Sequence, residues 1–210
     1  MNVAILSESP ADEEALRILV DRVMGRPTEP VATPPLRSRG WPSVKDVLPT
    51  VIRHLHYRTE AYGLVCVADA NHSDPHSSGH EEPGSEAKDC RLCTLREVVW
   101  ATFGDVGAVA GRAPLKVAVG VACPAIEAWY LCGSPQQVTE RDWEEGMGAK
   151  QWADNRRELK RHVYGAERFA LAHEIACATS KARDVARDIA ALESIFPIGF
   201  GSLAMELRTW

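Results

Sequence analysis

Two hundred and ten residues, 45% apolar and 25% charged, are enough for one medium-sized domain with a real core and need no disulfide staples. With 24 basic and 29 acidic side chains the net charge is −5. That balance excludes wholesale disorder and a basic nucleic-acid coat, and leaves contact with nucleic acid to a local basic patch or a metal ion. No apolar run approaches the roughly 18 residues of a membrane span. MNVAILSESPADEE turns acidic without a basic leader, so the expectation is a cytoplasmic protein with no membrane partner.

Asn2 to Leu6 is a short apolar run, and in the SESPAD that follows, Ser9, Pro10 and Asp12 occupy the N-cap, first and third positions of a helix. Leu16, Leu19, Val20, Val23 and Met24 keep the 3.6-residue period until Gly25 and Pro27 stop it. Thr28 to Arg39 is Pro-rich and predicts at best a short edge strand, and Ser43 precedes a second amphipathic helix through Leu55. Tyr62 to Ala68 is a continuous apolar run of strand length, which implies burial on both faces as in a parallel sheet.

His72 to Asp89 contains no large apolar residue but three of the seven histidines, and predicts a long exposed loop. A helix over Leu92 to Phe103, a buried strand over Leu115 to Val121 and a helix opened by Pro124 complete the alternation. Beyond it, Glu158 to Tyr164, Glu167 to Ala178 and Ala182 to Leu192 show helical spacing, and PIGFGSLAMEL predicts a short terminal helix. The fold class is therefore α/β: a Rossmann-like layer with a mainly parallel sheet over residues 1–134, and a helical C-terminal portion, 135–210, packed on it.

The nucleotide-binding signature GxxxxGK[ST], the nucleophile turn GxSxG and GxGxxG are all absent, and HEIAC at His173 lacks the second histidine of HExxH. What remains is acidic. Glu8 follows the first strand and Asp69 the Tyr62–Ala68 strand, so a parallel sheet places both at the carboxyl edge where open α/β folds bind ligands. Asn71 lies two residues past Asp69, and Glu127 falls in the first turns of the helix opened by Pro124. Hard oxygen ligands grouped in this way suit Mg²⁺ or Mn²⁺.

SESPADEEAL, VCVADAN and CPAIEAWYL resemble, in that order, the EGxTE turn, the DxD strand end and the EIEAWLL helix of a group of TOPRIM-like proteins. LKRHVYG and FPIGFGSLAMEL are similar to the tail of the same group. The resemblance implies a TOPRIM domain and a metal-dependent, nuclease-like phosphodiester chemistry. Glu8, Asp69 and Glu127 would be its catalytic groups, with Glu8 as general acid/base or ligand, and Asp69, Asn71 and Glu127 would join it around the metal. It also implies a role in defence against mobile DNA. The chain departs from the pattern where EGxTE reads ESPAD, where DxD reads DAN, and where the Glu before IEAW is Ala125. A non-catalytic TOPRIM-like subunit that binds a partner protein or nucleic acid is the alternative that these departures support.

Two further groups have chemical spacing. His72, His76 and His80 recur every four residues ahead of Cys90 and Cys93, whose CxxC spacing lets two thiolates face one tetrahedral Zn²⁺. No apolar residue anchors this loop before Leu92, which favours a loop without fixed structure over a zinc site built from His76, His80, Cys90 and Cys93. Arg156, Arg157, Lys160 and Arg161 form a basic patch on one helix, a candidate contact for a nucleic-acid backbone, offset by Asp154 and Glu158. Cys123 and Trp129 read as packed core residues.

Overall fold

The structure, a computed structural model, describes residues 1–34, 40–71, 73, 75–81, 89–145, 149–166 and 170–210. Four parallel strands, β1 (Asn2–Leu6), β2 (Glu29–Pro30), β3 (Gly63–Asp69) and β4 (Lys116–Ala122), form one sheet in the order β2-β1-β3-β4. Every residue of β3 is buried, as its unbroken apolar run demands, and it pairs from Val3 to Leu6 on one side and from Lys116 to Ala122 on the other. β2 is the short edge strand expected of the Pro-rich stretch, whose residues 35–39 lie outside the described residues.

Helix α1 (Pro10–Met24) is N-capped by the Ser9 hydroxyl, which accepts from the Asp12 N–H at 3.2 Å, and ends at Gly25 with φ 66°. The left-handed conformation costs glycine least, so the sequence signals at both ends are used as read. Leu16, Leu19 and Val20 are fully buried on its inner face, each contributing about 1.5–3 kcal/mol. Helix α2 (Trp41–Arg58) starts two residues before Ser43, because Pro42 fits the first turn and Gly40 takes the cap position. Helix α3 is Arg91–Gly104 and α4 the short Ile126–Tyr130.

Strand order and right-handed crossovers put α1 on one face of the sheet and α2 and α3 on the other. Consecutive chain segments thus leave β1 and β3 toward opposite faces, and the crevice between the carboxyl ends of these neighbouring strands is the topological switch point. Glu8 and Asp69 stand on its two sides.

The helical portion comprises α5 (Glu140–Glu144), α6 (Ala149–Tyr164), α7 (Leu171–Val185), α8 (Ile189–Ile195) and α9 (Ser202–Arg208). The spacing over Ala182–Leu192 divides between α7, a 3-10 turn at Ala186–Asp188 and α8, whose N-cap Asp188 accepts from the Ala191 N–H at 3.1 Å. Helix α7 packs along α1, and α9 packs on β4 and α1. A π-helical turn, Pro197–Gly201, approaches the end of β4 so closely that a Cβ on Gly199 would overlap the Val121 carbonyl oxygen. Buried Glu140 fixes this turn by accepting from the N–H groups of Ile198 and Gly199, both at 2.7 Å. Trp129, buried, packs edge-on against Phe196 and Phe200 and so serves the core as expected. Among the described residues no single helix is long and apolar enough to cross a membrane.

Candidate functional site

At the switch point the acidic groups are knitted to one another through backbone. Glu8 Oε1 accepts the Asp69 N–H at 3.0 Å, which ties the turn after β1 to the end of β3. Asp69 Oδ1 accepts the Ile126 N–H at 2.9 Å, at the start of the helix that carries Glu127. The Asn71 N–H bonds the Pro124 carbonyl at 2.9 Å while Asn71 itself holds φ 51°, a left-handed conformation that Asn tolerates better than most residues. Asp69, Asn71 and Glu127 are all buried. Among the described residues, Asn71 Oδ1 and Glu127 Oε2 are buried oxygens with no hydrogen-bond partner.

Three cations converge on this set. Arg91 Nη1 donates to the Asp69 carbonyl at 2.6 Å and stands 3.6 Å from Glu8 Oε1, and its guanidinium lies over the Trp41 ring. Arg156 Nη2 reaches Asp69 Oδ2 at 3.4 Å, and Lys160 Nζ is 3.6 Å from Glu127 Oε1. Arg156 and Lys160 stand four residues apart and therefore on one face of α6. The basic patch read from the sequence thus splits: Arg156 and Lys160 turn to the acidic crevice, while Arg157 and Arg161 are exposed.

The cations do not neutralise the site fully. Burial, and then the negative charges of Glu127, Glu8 and Asp12, hold the Asp69 carboxyl well above the usual carboxylate range, against the pull of Arg156. Asp12 belongs to the same electrostatic unit. It is buried in the first turn of α1, accepts hydrogen bonds from Ser9 Oγ at 2.8 Å and Tyr130 Oη at 3.3 Å, and is pushed up to about 7 by burial and by Glu127.

The second polar group lies where the loop after β3 meets the start of α3. His76, His80, Cys90 and Cys93 place one ligand atom each within 4.8 Å of one another, so this quartet is able to hold a metal ion. His76 Nδ1 is 3.6 Å from Cys90 Sγ and 3.3 Å from Cys93 Sγ, and the two imidazoles meet edge to face at 5.6 Å. In the described part of the loop a 3-10 turn at Ser78–Glu81 brings His80 back toward His76, and Cys90 is buried. Of the His72–Asp89 loop expected from the sequence, residues 74 and 82–88 lie outside the described residues, and in the described part the His and Cys side chains make the contacts. His72 lies outside the described residues.

Glu8, Asp69, Asn71 and Glu127 accordingly occupy one edge, as their strand-end positions imply. Cys123 is buried, in keeping with a packed thiol. Sequence reasoning missed Arg91, although its place between the two cysteines at a helix start was visible, and it missed Asp12 as more than a helix-cap residue. The signal for Asp12 was its spacing, four residues after Glu8 at the start of the helix that follows. Comparison of this chain with protein-family models, with curated proteins and with solved structures finds no match in any of the three.

Proposed function

We propose that the chain is a TOPRIM-like, Mg²⁺- or Mn²⁺-dependent enzyme that cleaves phosphodiesters at the crevice between β1 and β3. The observation that carries the reading is the pairing of unpartnered buried oxygens with a ring of cations at one switch point. A buried oxygen without a partner costs about 1–3 kcal/mol, and a hard cation is the ligand that relieves it. Asp69, Asn71, Glu127 and Glu8 would hold the ion, which supplies polarisation of a phosphate and a bound water of lowered pKa.

The chain's own groups do the rest. Arg91, Arg156 and Lys160 offset the charge of a phosphate entering the crevice, and exposed Arg157 and Arg161 extend the positive rim along α6 for a nucleic-acid backbone. Glu8, held in place by the Asp69 N–H, accepts a proton at its free oxygen. DNA is the first substrate to assay, in keeping with the defence role that the resemblance implies.

One observation favours a second reading, a non-catalytic subunit that binds a partner protein or nucleic acid. Both Asp69 carboxylate oxygens are already engaged, Oδ1 by Ile126 and Oδ2 by Arg156. Calorimetric titration of Mn²⁺, run beside cleavage assays on single- and double-stranded DNA and on RNA, decides between them. Metal binding and cleavage that disappear in Glu8→Gln support the enzyme. No binding at millimolar Mn²⁺ and no cleavage of any substrate leaves the subunit.

A further inference from the structure

We infer that His76, His80, Cys90 and Cys93 form a tetrahedral site for one structural Zn²⁺, which pins residues 75–81 onto the first turn of α3. Zinc bonds of about 2.3 Å to sulfur and about 2.0 Å to nitrogen make a tetrahedron with edges of about 3.3–3.8 Å. The sulfur-to-nitrogen separations of 3.3 and 3.6 Å from His76 Nδ1 fall on that edge length, and all four ligand atoms lie within 4.8 Å of one another. A small inward movement of the widest pair completes the geometry.

Hydrogen bonding alone accounts less well for the arrangement. An imidazole nitrogen has one lone pair, yet His76 Nδ1 has two sulfurs at contact distance. One ion bonded to all three atoms resolves the conflict. Cys90 is the N-cap of α3 and Cys93 stands in its first turn, where the helix dipole favours thiolates. Two thiolates and two neutral imidazoles leave the site with no net charge around a divalent ion, which suits its partly buried position. Mixed nitrogen and sulfur ligands select zinc over the hard ions proposed for the carboxylate crevice, and four protein ligands leave no open position for catalysis. Arg96 Nη1, on an exposed side chain, lies 3.5 Å from His76 Nε2, the ring nitrogen outside the ligand set.

Arg91 lies between the two cysteines, so the ion also fixes the base from which its guanidinium reaches the Asp69 carbonyl. This site stands apart from the proposed cleavage activity: a chain without nuclease activity still binds zinc.

The test is the metal content of the whole chain, purified reduced and without added metal, followed by Co²⁺ replacement. One zinc per chain is expected, with a Co²⁺ spectrum of a four-coordinate site and charge-transfer absorption from two thiolates. The Cys90→Ser/Cys93→Ser pair should lose the zinc while remaining folded by circular dichroism. Should that variant fail to fold, the wild-type Co²⁺ spectrum alone decides, because it counts the thiolates. Zinc retained by the folded double variant, a Co²⁺ spectrum without thiolate bands, or reduced wild type that takes up no zinc at micromolar concentration would each overturn the proposal.

Discussion

The crevice between β1 and β3 and the quartet between the β3 loop and α3 are both polar and both partly buried, but they balance their charge differently. The crevice carries its own cations: Arg91, Arg156 and Lys160 stand against Glu8, Asp69 and Glu127. In the quartet, by contrast, two sulfurs converge on one imidazole nitrogen, a contact set that one shared ion satisfies better than hydrogen bonds do. The crevice's own ion pairs hold most of its carboxylates in place, and among the described residues only two of its buried oxygens are left without a partner. A site built of two sulfurs and two imidazoles would gain its cohesion from a metal.

The largest effect that would sharpen this contrast is on turnover. Glu8→Gln keeps an oxygen to accept the Asp69 N–H but cannot take a proton, so cleavage should fall by roughly 10²–10⁴-fold, with thermal unfolding unchanged. Equal turnover in variant and wild type removes Glu8 from the mechanism.

Stability against pH comes next. Asp12 is raised from an ordinary 3.8 to about 7, so the folded state holds its proton where the unfolded chain has released it. The group's contribution is fully present below about pH 4 and is lost as pH rises toward 7, by up to about 4 kcal/mol. Urea unfolding of wild type and Asp12→Asn at pH 5 and pH 8 should therefore show the variant gaining on wild type at the higher pH. A difference between the two that does not change with pH would falsify the buried-acid account.

Chelation separates the two regions directly. Stripping metal should speed amide exchange over residues 75–81 and in the first turn of α3 while β1 and β3 stay protected. Exchange that rises equally in the sheet would mean that the quartet is not a local staple.

The smallest effect is at Asn71. Asn71→Asp adds a negative charge to a site that holds an unpartnered amide oxygen, and should tighten Mg²⁺ binding by about 1 kcal/mol. Asn71→Gly, which keeps the left-handed backbone and removes the oxygen, should weaken it. Calorimetry that finds both variants equal to wild type takes Asn71 out of the ligand set.

Much of this was legible in the chain because strand ends announce themselves. The apolar runs ending at Leu6 and Ala68 put Glu8 and Asp69 on one edge, but the register of β3 against β1, with Val3 opposite Gly63, cannot be read from two unbroken apolar runs and is set by packing. Helix faces on the surface were harder to read. Arg156 and Lys160 repeat at four residues, yet the sequence does not say that this face meets carboxylates 87 residues away in the case of Arg156 and Asp69. Glu140 reads as an ordinary first-turn acid, and only the packing of α5 shows it holding the backbone of Ile198 and Gly199.

By itself the sequence determined the α/β alternation, the parallel sheet, the edge on which the acids emerge and the spacing of the His/Cys ligands. These depend on hydrophobic period and on residues close together along the chain. Tertiary structure alone decided which cations enter the crevice, how deeply Asp12 is buried, and that His76 and His80 close on Cys90 and Cys93. Those outcomes depend on desolvation and on contacts between segments far apart in sequence, and both are set only when the helices have packed on the sheet.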